Sequence, residues 1–167
     1  ERANDLPQPG LVRNAAKQVM LPGNAKVRHP LVEQRMLQLS ADGAAMEINR
    51  LEMRGTGIGI ITSGACYQYV REVLPEASTL KLGMVNPLPE VLIRQFAASV
   101  DRLLVIEELD PFIEEQVKAM GIAVSGKEYT TRCGELTPER LAKALALAGV
   151  LSPLPAAVPV AASPAPK

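Results

Sequence analysis

The stretch Gly57-Ile58-Gly59-Ile60-Ile61-Thr62-Ser63-Gly64 constrains the fold of this chain more than any other. An apolar run this short, ending in Ser-Gly and passing into a helical pattern from Ala65 to Leu74, reads as a fully buried strand that feeds a helix. It is the natural central parallel strand. Further strands are predicted at Leu80–Gly83, Leu103–Glu107 and Ala123–Ser125, and the parallel strands alternate with helical stretches. That alternation specifies an α/β domain with helices on both faces of the sheet.

The segment from Ile48 to Met53 sets Ile48, Arg50 and Glu52 against Asn49, Leu51 and Met53, the period of a half-exposed strand. Its tie to the central strand, Arg54-Gly55-Thr56, is too short for a parallel crossover. This strand must therefore run antiparallel to the rest, at an edge. The helices are punctuated by prolines. Pro30 is expected at the first position of an amphipathic helix from Leu31 to about Ser40, with Leu31, Val32, Met36 and Leu39 on its apolar face. After Asn86-Pro87-Leu88-Pro89 a helix buries Leu92, Phe96 and Val100. Asp110-Pro111 is read as the cap and opening of a helix carrying Ile113, Val117 and Met120. Thr137-Pro138 starts another, with Leu141, Leu145 and Ala148. Residues 1–24, with Pro7, Pro9, Gly10, Pro22 and Gly23, read as an extended approach segment, and residues 25–150 as the folded domain. Residues 151–167, almost wholly Pro, Ala, Val and Ser, read as a semi-rigid linker to a further domain.

Composition removes several classes of function. With 167 residues the chain can bury about two-thirds of its unfolded surface without staples. Its net charge is zero, it has no Trp, and no basic stripe with interleaved aromatics is present, so nucleic acid is not an expected partner. No stretch approaches the roughly 20 apolar residues of a membrane span. Cys66 and Cys133 form no C-x-x-C clip, which suits a reducing, cytoplasmic setting. The chain opens on Glu1 rather than Met, so a processed protein or a piece of a longer one is expected.

The motifs yield no catalytic set. Gly55-Thr56-Gly57-Ile58-Gly59 fails as a dinucleotide fingerprint, because its glycines precede the strand instead of joining strand to helix; packing room around a crowded strand accounts for them better. Ser63-Gly64 is correctly placed for an anion at a helix N-terminus, yet a Ser helix cap is the plainer reading. Glu107, Glu108 and Asp110 end a buried strand at the edge where open sheets bind ligands. Adjacent strand residues point to opposite faces, so Glu107 and Glu108 do not converge for acid–base work or metal binding; a cap by Asp110 and a contact to another domain by Glu108 are favoured. Cys66 reads as a buried, inert thiol and His29 as a surface residue.

Several stretches together resemble the alpha subunit of indolepyruvate ferredoxin oxidoreductase. They are Val19-Met20-Leu21-Pro22-Gly23-Asn24-Ala25 with Arg28-His29, Ile60-Ile61-Thr62-Ser63-Gly64 with Tyr67 and Tyr69-Val70, and Leu80-Lys81-Leu82-Gly83-Met84 with Pro87-Leu88-Pro89. Val105-Ile106-Glu107-Glu108-Leu109-Asp110-Pro111-Phe112 with Glu114-Glu115-Gln116 is the most specific, followed by Gly126-Lys127-Glu128 and Gly134-Glu135-Leu136-Thr137-Pro138-Glu139. The resemblance runs from about Val19 to Val150 and lapses at Tyr129 to Cys133.

That resemblance implies the middle domain of a thiamine-diphosphate-dependent 2-oxoacid:ferredoxin oxidoreductase. The fold implied is like the C-terminal domain of transketolase, a three-layer α/β/α sandwich whose five-stranded mixed sheet has its first strand antiparallel. The parent decarboxylates arylpyruvates with thiamine diphosphate, magnesium, iron–sulfur clusters and coenzyme A. Expected partners are the pyrimidine- and pyrophosphate-binding domains of the same subunit, the beta subunit and ferredoxin. This chain shows neither a Gly-Asp-Gly for magnesium and diphosphate nor a Cys-rich cluster motif, so a non-catalytic packing role is expected. Ser63, Gly64, Pro87, Glu108 and Asp110, at the C-terminal edge of the sheet, are the candidates for an interdomain or anion contact. Two alternatives remain at this stage: a free-standing flavodoxin- or Rossmann-like module binding a small anion, and the equivalent domain of another 2-oxoacid:ferredoxin oxidoreductase.

Overall fold

A computed structural model describes residue 10 and residues 12–151. The expected linker at 151–167 lies outside the described residues beyond Leu151, as do residues 1–9 and 11 of the approach segment. The chain divides into two compact units, Glu1–Gln38 and Leu39–Lys167.

In the first unit Asn14 caps the single turn α1 (Ala15–Gln18), its Oδ1 accepting the Lys17 N–H at 3.1 Å. Helix α2 (Pro22–Asp42) then starts well before the expected Leu31. Pro22 supplies the preset φ that opens a helix, and the Asn24 side-chain amide donates to the Val19 carbonyl at 2.8 Å just ahead of it. Pro30 is therefore interior to the helix instead of at its start. The Lys26 carbonyl loses its helical donor, a loss that water makes good on an exposed surface. The amphipathic packing expected of the helix is not found: Leu31 and Val32 are exposed, and no residue of α2 is buried.

The second unit contains the sheet and the helices that cover it. Strand β1 (Arg50–Glu52) is followed by β2 (Ile58–Ser63), α3 (Cys66–Val73), β3 (Ser78–Leu82), α4 (Glu90–Ala98), β4 (Arg102–Ile106), α5 (Phe112–Ala119) and α6 (Pro138–Leu147). The strand order is β1-β3-β2-β4. β2 is central and parallel to both neighbours, and β1 is the antiparallel edge strand, Leu51 facing Leu80. Ser78 makes the short β1–β2 tie possible. Its Oγ accepts the Arg54 and Gly55 N–H groups and donates to the Gly55 carbonyl at 2.6 Å, satisfying a turn that would otherwise carry orphan backbone groups.

The expected fifth strand does not form among the described residues. Ser125 reaches β4 through one parallel bridge to Leu104, with Val105 N–H donating to Ser125 O at 2.8 Å and Ser125 N–H to Leu103 O at 3.2 Å. The chain then leaves the ladder, because the Lys127 N–H is taken at 2.8 Å by the Glu114 carboxylate. The sheet therefore has four strands.

Alternation along the strands divides the core in two. Ile61, Leu80, Leu82, Leu103 and Val105 pack with Leu92, Ile93 and Phe96 of α4 and Ile113 and Val117 of α5. On the other face Ile60, Leu104 and Ile106 pack with Cys66 and Val70 of α3 and Leu141 and Leu145 of α6. Ile60 and Ile61, successive residues of the central strand, are each fully buried, one per face, and each such burial stabilises by about 1.5–3 kcal/mol. Of Gly55, Gly57 and Gly59 the closely packed one is Gly59: a Cβ there would lie 2.7 Å from Val100 Cγ2 and 3.0 Å from Phe96 Cζ. Gly55 and Gly57 have open space around them, so the packing explanation holds at Gly59 alone.

Candidate functional site

Because β3, β2 and β4 are adjacent and parallel, their C-terminal ends share one edge, and the five candidate residues follow those ends. Half-buried Ser63 closes β2, and Gly64 turns the chain into α3 with φ +54°. Half-buried Pro87 follows β3 through a cis Asn86–Pro87 bond. Glu108 and Asp110 follow β4 and are exposed.

At this edge the helix caps differ from expectation at two points. First, Ser63 does not cap α3, whose N-cap position is Ala65 with no side-chain hydrogen bond. Gly64 adds one residue to the turn, which places the hydroxyl too early. Second, Asp110 does not cap α5. Pro111 holds the N-cap position without a side-chain bond, and the buried Glu107 does the capping from the strand end: its Oε2 accepts the Ile113 N–H at 2.8 Å and its Oε1 the Glu114 N–H at 3.0 Å. Exposed Glu108 accepts the Leu136 N–H on its Oε1 at 2.8 Å and so anchors the loop before α6.

The acids of this edge thus diverge. Just beyond β4, Glu107 serves the α5 side and Glu108 the loop before α6. Burial pushes the Glu107 carboxyl above the usual carboxylate range, against the hydrogen bonds from Glu114 and Ile113 and the charge of Lys127. The Lys127 ammonium donates to the Glu107 carbonyl oxygen, and burial pushes this lysine down. Glu114, also buried, accepts from Lys118 Nζ at 2.6 Å and packs against Gly126, where a Cβ would strike its carboxylate. Cys66 is buried in the first turn of α3, and burial raises its thiol, with the charge of Glu108 acting in the same direction. A thiol so placed stays protonated and unreactive. His29 is exposed, 3.6 Å from Glu33. Among the described residues no three His, Cys, Asp or Glu side chains are grouped to hold a metal ion.

Two features escaped sequence reasoning. The Glu107 cap is one, since acid at a strand end carries no local helix signal. The other gathers Arg50, Glu52, Arg54, Tyr67, Arg71 and Lys81 beside the edge strand. Its traces were the alternation that puts Arg50 and Glu52 on one face of β1 and the i, i+4 spacing of Tyr67 and Arg71 on α3.

No family model matches the chain. Over 155 residues, 85% of the chain, it is 31% identical to indolepyruvate oxidoreductase subunit IorA of Pyrococcus horikoshii. The chain resembles one stretch of the IorA subunit. The IorA proteins of Thermococcus kodakarensis, 31% identical over 77% of the chain, and of Archaeoglobus fulgidus, 34% identical over 69%, repeat the match. The chain spans only 24%, 22% and 19% of the lengths of these three IorA relatives, in the order given. A solved 2-oxoglutarate:ferredoxin oxidoreductase from Magnetococcus marinus, with 2-oxoglutarate, coenzyme A and succinyl-CoA bound, shares the fold. The TM-score is 0.55 at 20% identity, over 74% of this chain and 23% of that one.

Proposed function

We propose that this chain is a non-catalytic α/β domain of an indolepyruvate-type 2-oxoacid:ferredoxin oxidoreductase, like the C-terminal domain of transketolase. In the parent it packs the C-terminal edge of its sheet, at Ser63, Gly64, Pro87, Glu108 and Asp110, against the domains that carry the cofactors. The IorA relatives support the parent, and the share of their length that the chain spans supports a part of it. One observation carries the role: Glu107 accepts two backbone N–H groups of α5 while Glu108 accepts that of Leu136 in the loop before α6, so the two acids are held apart by this same chain.

Thiamine diphosphate and magnesium do not fit the described residues. A diphosphate-bound cation asks for converging oxygen ligands. Glu107 and Glu114 are buried and engaged, and Glu108 holds Leu136. Cofactor chemistry, electron transfer to ferredoxin and acyl transfer to coenzyme A accordingly belong to other domains and to the beta subunit, and the cytoplasm is where such a parent operates. Calorimetric titration of the 167-residue chain with thiamine diphosphate and magnesium tests the reading. No heat of saturable binding is expected; a micromolar dissociation constant would overturn it.

A further inference from the structure

At β1, the end of the sheet away from β4, three arginines surround one carboxylate and a lysine stands close by. Tyr67 Oη donates to Glu52 Oε1 at 2.6 Å, and Arg50 lies 3.1 Å from the same oxygen. Arg54 and Arg71 approach Oε2 at 3.4 and 3.8 Å. Lys81, the cross-strand neighbour of Arg50, stands 5.1 Å from the centroid of the Tyr67 ring, with Arg50 at 5.8 Å. In a chain of zero net charge this is a strong local excess of positive charge.

Stability of the fold does not explain the excess. Tyr67 and one arginine suffice to satisfy Glu52, exposed ion pairs are worth about 0–1 kcal/mol, and every added cation repels those already there. The side chains of Arg50 and Arg54 are 57% and 40% exposed, so they remain open to an outside anion. Beside them Ile48, Leu51 and Met53 are each about half exposed (54%, 46% and 47%). Among the described residues β1 pairs on one side only, with β3. An edge charged in this way repels a second copy of itself and selects a strand of opposite charge.

We propose that the open edge of β1 docks an extended, carboxylate-rich segment of a partner protein, which adds a strand to the sheet and sets its acids against Arg50, Arg54 and Lys81. Main-chain pairing along β1 supplies affinity, alternate apolar positions of the segment cover Leu51 and Met53, and the cations set its charge and direction. The exposed apolar side chains favour a polypeptide over an inorganic polyanion. This surface lies apart from the edge assigned above, and the inference stands whichever parent the chain serves.

The test titrates the 167-residue chain with an eight-residue peptide of alternating glutamate and valine, following backbone amides by NMR. Saturable shifts confined to Arg50–Arg54 and neighbours are expected, with affinity falling at least about tenfold between roughly 20 and 200 mM salt. Arg50→Glu with Arg54→Glu should abolish binding and admit the lysine–valine counterpart. Lys81→Glu leaves the partners of Glu52 in place and should weaken binding about tenfold, which covers the case in which the double variant misfolds. Absence of saturable shifts, equal binding of the lysine–valine peptide by the native chain, or indifference to both variants would overturn the proposal. So would tripolyphosphate binding the same residues as tightly as the peptide, which would mark a plain polyanion site.

Discussion

The Glu107 carboxylate and the Ile113 backbone N–H meet at 2.8 Å, so an acid at the end of β4 caps the helix that comes next in the chain. Strand, turn and helix are locked into one unit by a side chain that belongs to none of the helix's own positions. Replacing it leaves the first N–H groups of α5 without a partner in a buried setting. Glu107→Ala should cost about 2 kcal/mol, the upper range for loss of a cap. Denaturant unfolding should show a lower midpoint at unchanged slope.

The same residue sets a pH dependence. Burial, the largest influence, raises the Glu107 carboxyl above its usual range, so the folded chain holds this proton when the unfolded chain has released it. Its contribution to stability is therefore greatest below the ordinary carboxylate value and declines as pH rises through the raised folded value. Glu107→Gln cannot titrate. The difference in melting temperature between it and the native chain should move in favour of the glutamine variant from pH 4 to pH 8; a constant difference would contradict the raised carboxyl.

Gly59 and Gly57 should respond oppositely to a methyl group. At Gly59 the added carbon would crowd Val100 and Phe96, and Gly59→Ala should cost about 1–3 kcal/mol by overpacking. At Gly57 there is open space, and Gly57→Ala should be tolerated. Paired thermal melts of the two variants decide this.

Leu109 adopts φ +59° and is 58% exposed, a conformation that costs a non-glycine residue roughly 1–2 kcal/mol and that burial does not offset. Leu109→Gly should raise stability by about 0.5–1 kcal/mol after the entropy of glycine is counted. A fall in melting temperature would mean that this side chain makes contacts the exposure does not reveal.

Glu52 titrates low chiefly because Tyr67 donates to it, with Arg54, Arg50 and Arg71 adding to the effect against partial burial. Its stabilising contribution is present above the ordinary carboxylate value and is lost as pH falls through the depressed folded value. Tyr67→Phe should move the Glu52 carboxyl back toward the ordinary range, read by carboxyl-carbon NMR, and shrink that acid-side loss.

The buried strands were legible because both neighbours of β2 are parallel and both its faces are covered, which forces a continuous apolar run; Ile60 and Ile61 record one face each. The antiparallel edge strand was legible from a connection too short to cross the sheet. The start of α2 was not, because Pro30 carries the same signal at a helix start as within an exposed helix. Four strands instead of five turned on one donor, Lys127 N–H, captured by Glu114 from across the chain. At the candidate edge, sequence placed the acids but assigned the cap to Asp110, the nearest short acid, where the fold brings Glu107 instead. Capping from a neighbouring strand depends on tertiary approach, and no local spacing encodes it.

The order β1-β3-β2-β4 has a consequence for how the molecule comes into being. Residues 50–52 leave the ribosome before the strand at 78–82 that will hold them, and β2 and α3 must be laid down in between. The first strand made thus stays unpaired until β3 has been made, because its only partner among the described residues lies beyond β2 and α3. A growing chain halted before Ser78 holds a strand with no neighbour, which makes that interval the vulnerable moment of its synthesis.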